Sequence, residues 1–169
     1  MKKNKRTPLV ITVVLAAAIG LLGFNNFVGR RIPEQDASAS VPCINPALPT
    51  PSQYHIHPHL RIVINDEPQA IPGGIGLAVT DCERAVHTHD ATGEIHIEPN
   101  FYQEFTLADF FGVWGKPFSK DQLLDFASGD GHEIVMAVDG RISQNFERLV
   151  LKDGQDILIE YRKTGVAGI

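Results

Sequence analysis

His55-Ile56-His57-Pro58-His59-Leu60-Arg61-Ile62-Val63-Ile64 alternates along its whole length. Ile56, Pro58, Leu60, Ile62 and Ile64 share one side; His55, His57, His59, Arg61 and Val63 share the other. Successive side chains of a strand point to opposite faces, so the stretch predicts a strand with an apolar core face. Proline donates nothing to a ladder, which puts the Pro58 end at an edge or a bulge. Asn65-Asp66-Glu67-Pro68 then reads as a turn, followed by a short return strand to Ile71 and a break at Pro72-Gly73-Gly74. Residues 84–89 and 94–98 read as a second hairpin closed by Asp90-Ala91-Thr92-Gly93. Thr106-Leu107-Ala108-Asp109 has capping-box spacing and predicts a helix to Trp114, stopped by Gly115. Ser119-Lys120-Asp121-Gln122 reads as the start of another short helix, to about Ala127. Residues 133–138, the hairpin dipeptide Asp139-Gly140, residues 149–151 and residues 156–161 return to strand. The expected class is α+β: a mainly antiparallel sheet with two short helices, preceded by one N-terminal transmembrane helix.

Six of the seven histidines fall between His55 and His96. His55, His57 and His59 lie on one strand face, and His87 and His89 on one face of the next hairpin. With a four-residue loop at 90–93, His89 faces Glu94 and His87 faces His96, and directly opposed pairs approach to about 5 Å at Cβ. Imidazole suits Zn²⁺, Cu²⁺ and Ni²⁺, and carboxylates complete such sites. His57, His59, His87, His89 and His96 are therefore the candidate ligands, with His55, Asp90 and Glu94 as further possibilities. Same-face residues on a strand stand about 6.6 Å apart, so ligands are expected from both hairpins together. His132, alone in a Gly/Asp turn, reads as a surface residue. Zn²⁺ or Cu²⁺ is the expected ion; Met136 is the sole methionine after Met1, which argues against a Met-rich Cu(I) carrier.

Other chemistries find no support. No nucleophile elbow is present, and the glycine-rich Pro72–Gly76 stretch lacks the Lys-Ser/Thr of a phosphate loop. His87, His89 and Glu94 share the H-x-H-x(4)-E spacing of cupins, but the flanking glycines and second motif are missing. Phe101, Phe105, Phe110, Phe111 and Trp114 read as a core stripe.

The 169 residues suit one domain with an appendage, and the net charge of −5 hides an asymmetry. Lys2, Lys3, Lys5, Arg6, Arg30 and Arg31 precede every acidic residue; from residue 32 onward nine basic residues stand against 20 acidic ones. Such a body repels phosphate backbones and argues against nucleic acid as a partner. Between Arg6 and Arg30 no residue is charged. As a helix, residues 7–29 would reach roughly 35 Å, enough to cross a bilayer with the basic cluster left cytoplasmic. The rival reading is a cleaved signal peptide, with Ala37-Ser38-Ala39 as the small-residue pattern. Either way the body is exported. The expected division is a cytoplasmic tip and anchor at 1–29, a proline-rich linker at 30–53, and a histidine-rich extracytoplasmic domain at 54–169. Cys43 and Cys82 fit an oxidising compartment and are expected to pair, with thiolate ligation as the alternative.

His55-Ile56-His57-Pro58-His59-Leu60, His87-Thr88-His89-Asp90, Gly93-Glu94-Ile95-His96-Ile97-Glu98 and Phe105-Thr106-Leu107-Ala108-Asp109-Phe110-Phe111-Gly112-Val113-Trp114-Gly115 resemble a family of uncharacterised, membrane-anchored, exported microbial proteins. The resemblance spans roughly residues 43–162 and implies compartment and motif order, with no named activity. On the residues themselves, three functions are open. The chain could bind metal at the outer face of the membrane. It could be a metal enzyme, activating water or doing copper redox chemistry with Glu94 or Glu98 moving protons. It could be an accessory subunit docked on a membrane protein complex.

Overall fold

The computed structural model describes residues 41–77 and 82–165, all within the second of two units, 36–169. The expected transmembrane helix, its basic flanks and the Ala37-Ser38-Ala39 pattern lie outside the described residues. Among those described, no helix is long and apolar enough to cross a membrane.

The elements are, in order, β1 (His59–Ile64), β2 (Glu67–Gln69), β3 (Val86–His87), β4 (His96–Ile97), α1 (Leu107–Trp114), β5 (Phe118–Ser119), β6 (Gln122–Leu123), β7 (Phe126–Ala127), β8 (His132–Val138), β9 (Arg141–Ile142) and β10 (Asp156–Lys163). The main sheet runs β2-β1-β10-β8-β9. All its pairings are antiparallel except β1 with β10, which is parallel. Register aligns three apolar rows across the sheet: Leu60, Ile157 and Val138; Ile62, Ile159 and Met136; Ile64, Tyr161 and Ile134. Nearly all of these are buried, and they form the floor of the core. The alternation read in residues 55–64 is thus realised from His59 on. The strand starts at His59 rather than His55 because Pro58 lacks the N–H a ladder requires. Upstream, Ile56 makes only an isolated bridge to Ile97.

Two turns follow local chemistry. Asn65 and Asp66 take φ of 51° and 69°, and Asp139 and Gly140 take 51° and 71°. Both are tight two-residue turns with positive φ at both central positions, which match the twist of the strands they join. Helix α1 begins as the spacing predicts. Thr106 accepts from the Asp109 N–H, Asp109 accepts from the Thr106 N–H at 2.8 Å, and Gly115 ends the helix at φ 70°. It buries Leu107, Phe110 and Phe111, while Phe101 is 72% exposed and stands apart from the expected stripe.

The second expected helix is a correction. Residues 118–127 form the small antiparallel sheet β5-β6-β7. The segment is too short to hold a helix without a packed apolar stripe. Instead Leu123 is buried from a strand, Leu124 turns at φ 52°, and the Ser119 hydroxyl accepts from the Asp121 N–H to close the first turn. Residues 149–151 are also not a strand. Val150 bridges Thr106 alone, and the Leu149 and Phe105 carbonyls accept from Leu107 and Leu151.

Cys43 and Cys82 form a disulfide across 39 residues, with Cα atoms 5.1 Å apart. It lies where residues 41–44 run beside 83–85. Ile44 donates to the Glu83 carbonyl, Ala85 donates to the Pro42 carbonyl, and the Arg84 guanidinium donates to the Val41 carbonyl at 2.7 Å. Val41 is fully buried, so this part of the proline-rich stretch packs into the domain.

Candidate metal centre

The hairpin that carries three of the histidines is built by pairing His87 with His96 and Val86 with Ile97. Val86 and Ile97 enter the core, which turns His87 and His96 the other way. That second face is not open to solvent at His87, which is 0% exposed. The 73–77 loop comes so close that a Cβ on Gly76 would sit 2.6 Å from the Val86 carbonyl and 3.1 Å from the His87 Cβ. Leu60 donates to the Gly93 carbonyl and Ile95 to the Pro58 carbonyl, which clamps the hairpin against the start of β1. These clamps bring residues 55–57 over the same face.

The imidazoles converge. The His87 and His89 rings are 4.8 Å apart between centroids, His89 and His96 4.4 Å, His57 and His96 4.7 Å, and His55 and His57 4.6 Å. Their ligand atoms fall into two groups, each within 4.8 Å: His87, His89, His96 and Glu98, and His55, His57 and His96. Within the first, His87 Nδ1 donates to the Arg84 carbonyl at 2.9 Å, so the neutral ring keeps its lone pair on Nε2. That nitrogen lies 3.2 Å from His89 Nε2. Two donors of a tetrahedral ion with bonds of 2.0–2.1 Å stand roughly 3.3 Å apart. A backbone carbonyl holding the far N–H is also the usual support of a metal-bound imidazole.

His96 Nδ1 is buried and has no hydrogen-bond partner, its nearest carboxylate oxygen being Glu98 Oε1 at 3.6 Å. A buried polar atom without a partner costs free energy, and a cation at this point would remove that cost. Burial holds the His87 and His96 imidazoles below the ordinary histidine pKa, and at His96 the neighbouring rings add to the effect. Both therefore favour the neutral form that a metal requires.

No family model, curated protein or solved structure matches this chain. The chemistry is therefore argued from its residues.

The remaining candidates are placed as follows. His59 stands outside both groups: its Nε2 donates to the Thr92 carbonyl at 2.9 Å, and Nδ1 lies 3.7 Å from Asp156. Asp90 also stands outside, its carboxylate accepting from the Thr92 N–H and hydroxyl, which hold it below the usual carboxylate pKa. Glu94 approaches His96 Nε2 to 3.2 Å without joining either group. His132 stacks on Tyr161, with centroids 5.0 Å apart. Glu98, which the sequence offers with Asp90 and Glu94 as a carboxylate to ligate the metal or support its ligands and also as a proton shuttle, lies among the possible ligands; its two-residue offset from His96 is the signal that places it on the same face. The Arg84 carbonyl, a backbone group three residues before His87, and Asp153, whose carboxylate accepts from the His57 N–H at 2.9 Å from a distant segment, had no sequence signal.

Proposed function

We propose that this protein is a membrane-anchored, extracytoplasmic metal-binding protein that holds Zn²⁺ or Cu²⁺ on His87, His89 and His96 with Glu98. The single observation that carries the reading is the 3.2 Å approach of His87 Nε2 to His89 Nε2, with the far nitrogen of His87 committed to the Arg84 carbonyl. The separation matches that of two ligands on one tetrahedral ion, and without an ion the same approach is a hydrogen bond between the two rings. The disulfide supports an oxidising compartment, and the uncharged 7–29 span behind a basic cluster supports the anchor and its orientation.

The test is metal analysis of the full-length, untagged protein purified from the membrane fraction. At least one Zn²⁺ or Cu²⁺ per chain should survive desalting. A substoichiometric content after reloading with either ion would overturn the metal reading. A C-terminal reporter active only in the cytoplasm should stay dark; a bright one would overturn the export.

A further inference from the structure

Five imidazoles and one carboxylate are more donors than one tetrahedral ion takes. They also do not gather around one point. His87 and His89 belong to one group and His55 and His57 to the other, with His96 in both. Glu98 stands between them. Its Oε1 lies 2.8 Å from His55 Nε2 and 3.6 Å from His96 Nδ1, so one carboxylate faces both sets. A carboxylate has two oxygens and can give one to each of two cations without any further proton being released. Each set has one exposed imidazole, His89 in the first and His55 in the second, but only the first also holds a fully buried one, His87.

We propose that the centre is dinuclear, with an inner divalent cation on His87, His89 and His96, an outer one on His55 and His57, and Glu98 bridging the two. This rests on the metal reading above and adds a second ion to it. The inner ion is shielded on its His87 side by the hairpin and the 73–77 loop and open to solvent at His89. The outer ion has only two imidazoles and a shared carboxylate, so water fills its remaining positions and it exchanges faster. The outer position is where an incoming ligand or a competing chelator would first meet the metal.

The test uses Cu²⁺ as the probe on the full-length, untagged protein, with excess ion removed by desalting. The expected content is two Cu²⁺ per chain in the wild type and one in the double variant His55→Ala/His57→Ala. Both residues are partly exposed, so the core is untouched and folding is checked by the thermal transition. Ions in two-metal centres stand about 3.5–4 Å apart, close enough to couple magnetically. The doubly loaded wild type should therefore give a weaker electron paramagnetic resonance signal per copper than the double variant. Glu98→Gln should keep the inner ion and lose the coupling. A wild type that saturates at one Cu²⁺, a double variant that still binds two, or coupling that survives in Glu98→Gln would each overturn the dinuclear assignment. A wild type that saturates at one ion leaves the metal reading standing, whereas one that holds none overturns both.

Discussion

At His87 a buried imidazole donates from Nδ1 to the Arg84 carbonyl and turns Nε2 toward His89, so its removal has two separable effects. His87→Ala should abolish stoichiometric metal at the inner position. It should also destabilise the metal-free protein by about 1–3 kcal/mol, because the Arg84 carbonyl loses its partner in a closed environment. Urea unfolding in the presence of a chelator reads the second effect alone. His132→Ala, which removes a ring stacked on Tyr161 outside both groups, should leave metal content unchanged. The same burial sets a pH dependence. His87 and His96 titrate below 6.5 in the folded chain and at about 6.5 in the unfolded one. The unfolded chain therefore binds more protons as pH falls under 6.5. Stability of the chelator-treated protein should be full above that value and decline as pH drops through the lower folded values. Urea midpoints at pH 8, 6 and 5 check this; equal midpoints would show that the two imidazoles are not shielded.

Between elements, the tightest of the described glycines is Gly93, where a Cβ would sit 2.3 Å from the Leu60 carbonyl and φ is +89°. Gly93→Ala should cost about 1–3 kcal/mol in backbone strain alone and push the hairpin off β1. Metal content should fall although no donor has been altered, as plasma mass spectrometry of the desalted protein would show. Thr106→Ala is the matching control: loss of the capping side chain should lower stability by about 1 kcal/mol while the metal stays. Elements specified by their own residues were legible in the sequence. The alternation of Leu60, Ile62 and Ile64, the Asp139-Gly140 turn and the Thr106 box each carry their reason within a few positions. The His87–His96 pairing followed from counting across one loop. The parallel union of β1 with β10 was not legible, because nothing near residue 60 encodes a partner near residue 157. Nor was the fate of residues 118–127, where Ser119 reads as a helix cap yet serves a turn, the choice being made by burial of Leu123. At the centre, the histidine faces were legible, whereas the separation of His59 from the groups depends on how the 90–93 loop presents the Thr92 carbonyl.

On the scale of the molecule, the Cys43–Cys82 bond closes a loop of 39 residues, which the chain-entropy argument values at about 4 kcal/mol. Cys43→Ala/Cys82→Ala should lower the urea midpoint accordingly. It should also weaken metal retention, because the bond lies beside Glu83 and Arg84, which lead into His87. A variant with unchanged stability and metal content would show that the tether is dispensable. The sheet order carries one more consequence, and it concerns time. A chain is made beginning with its N-terminus, yet the central strand of the main sheet, β10, is the last strand among the described residues. Until residues 156–163 arrive, β1 is paired only with the short β2 and half of its ladder is open. Closing that pairing spans nearly the whole domain, so it is a late event by loop closure as well as by order of synthesis. Under the export proposed above, the platform beneath the histidines is completed only after the domain has been delivered, and a bound ion would be drawn from the pool of the compartment where delivery ends, not from the one where translation began.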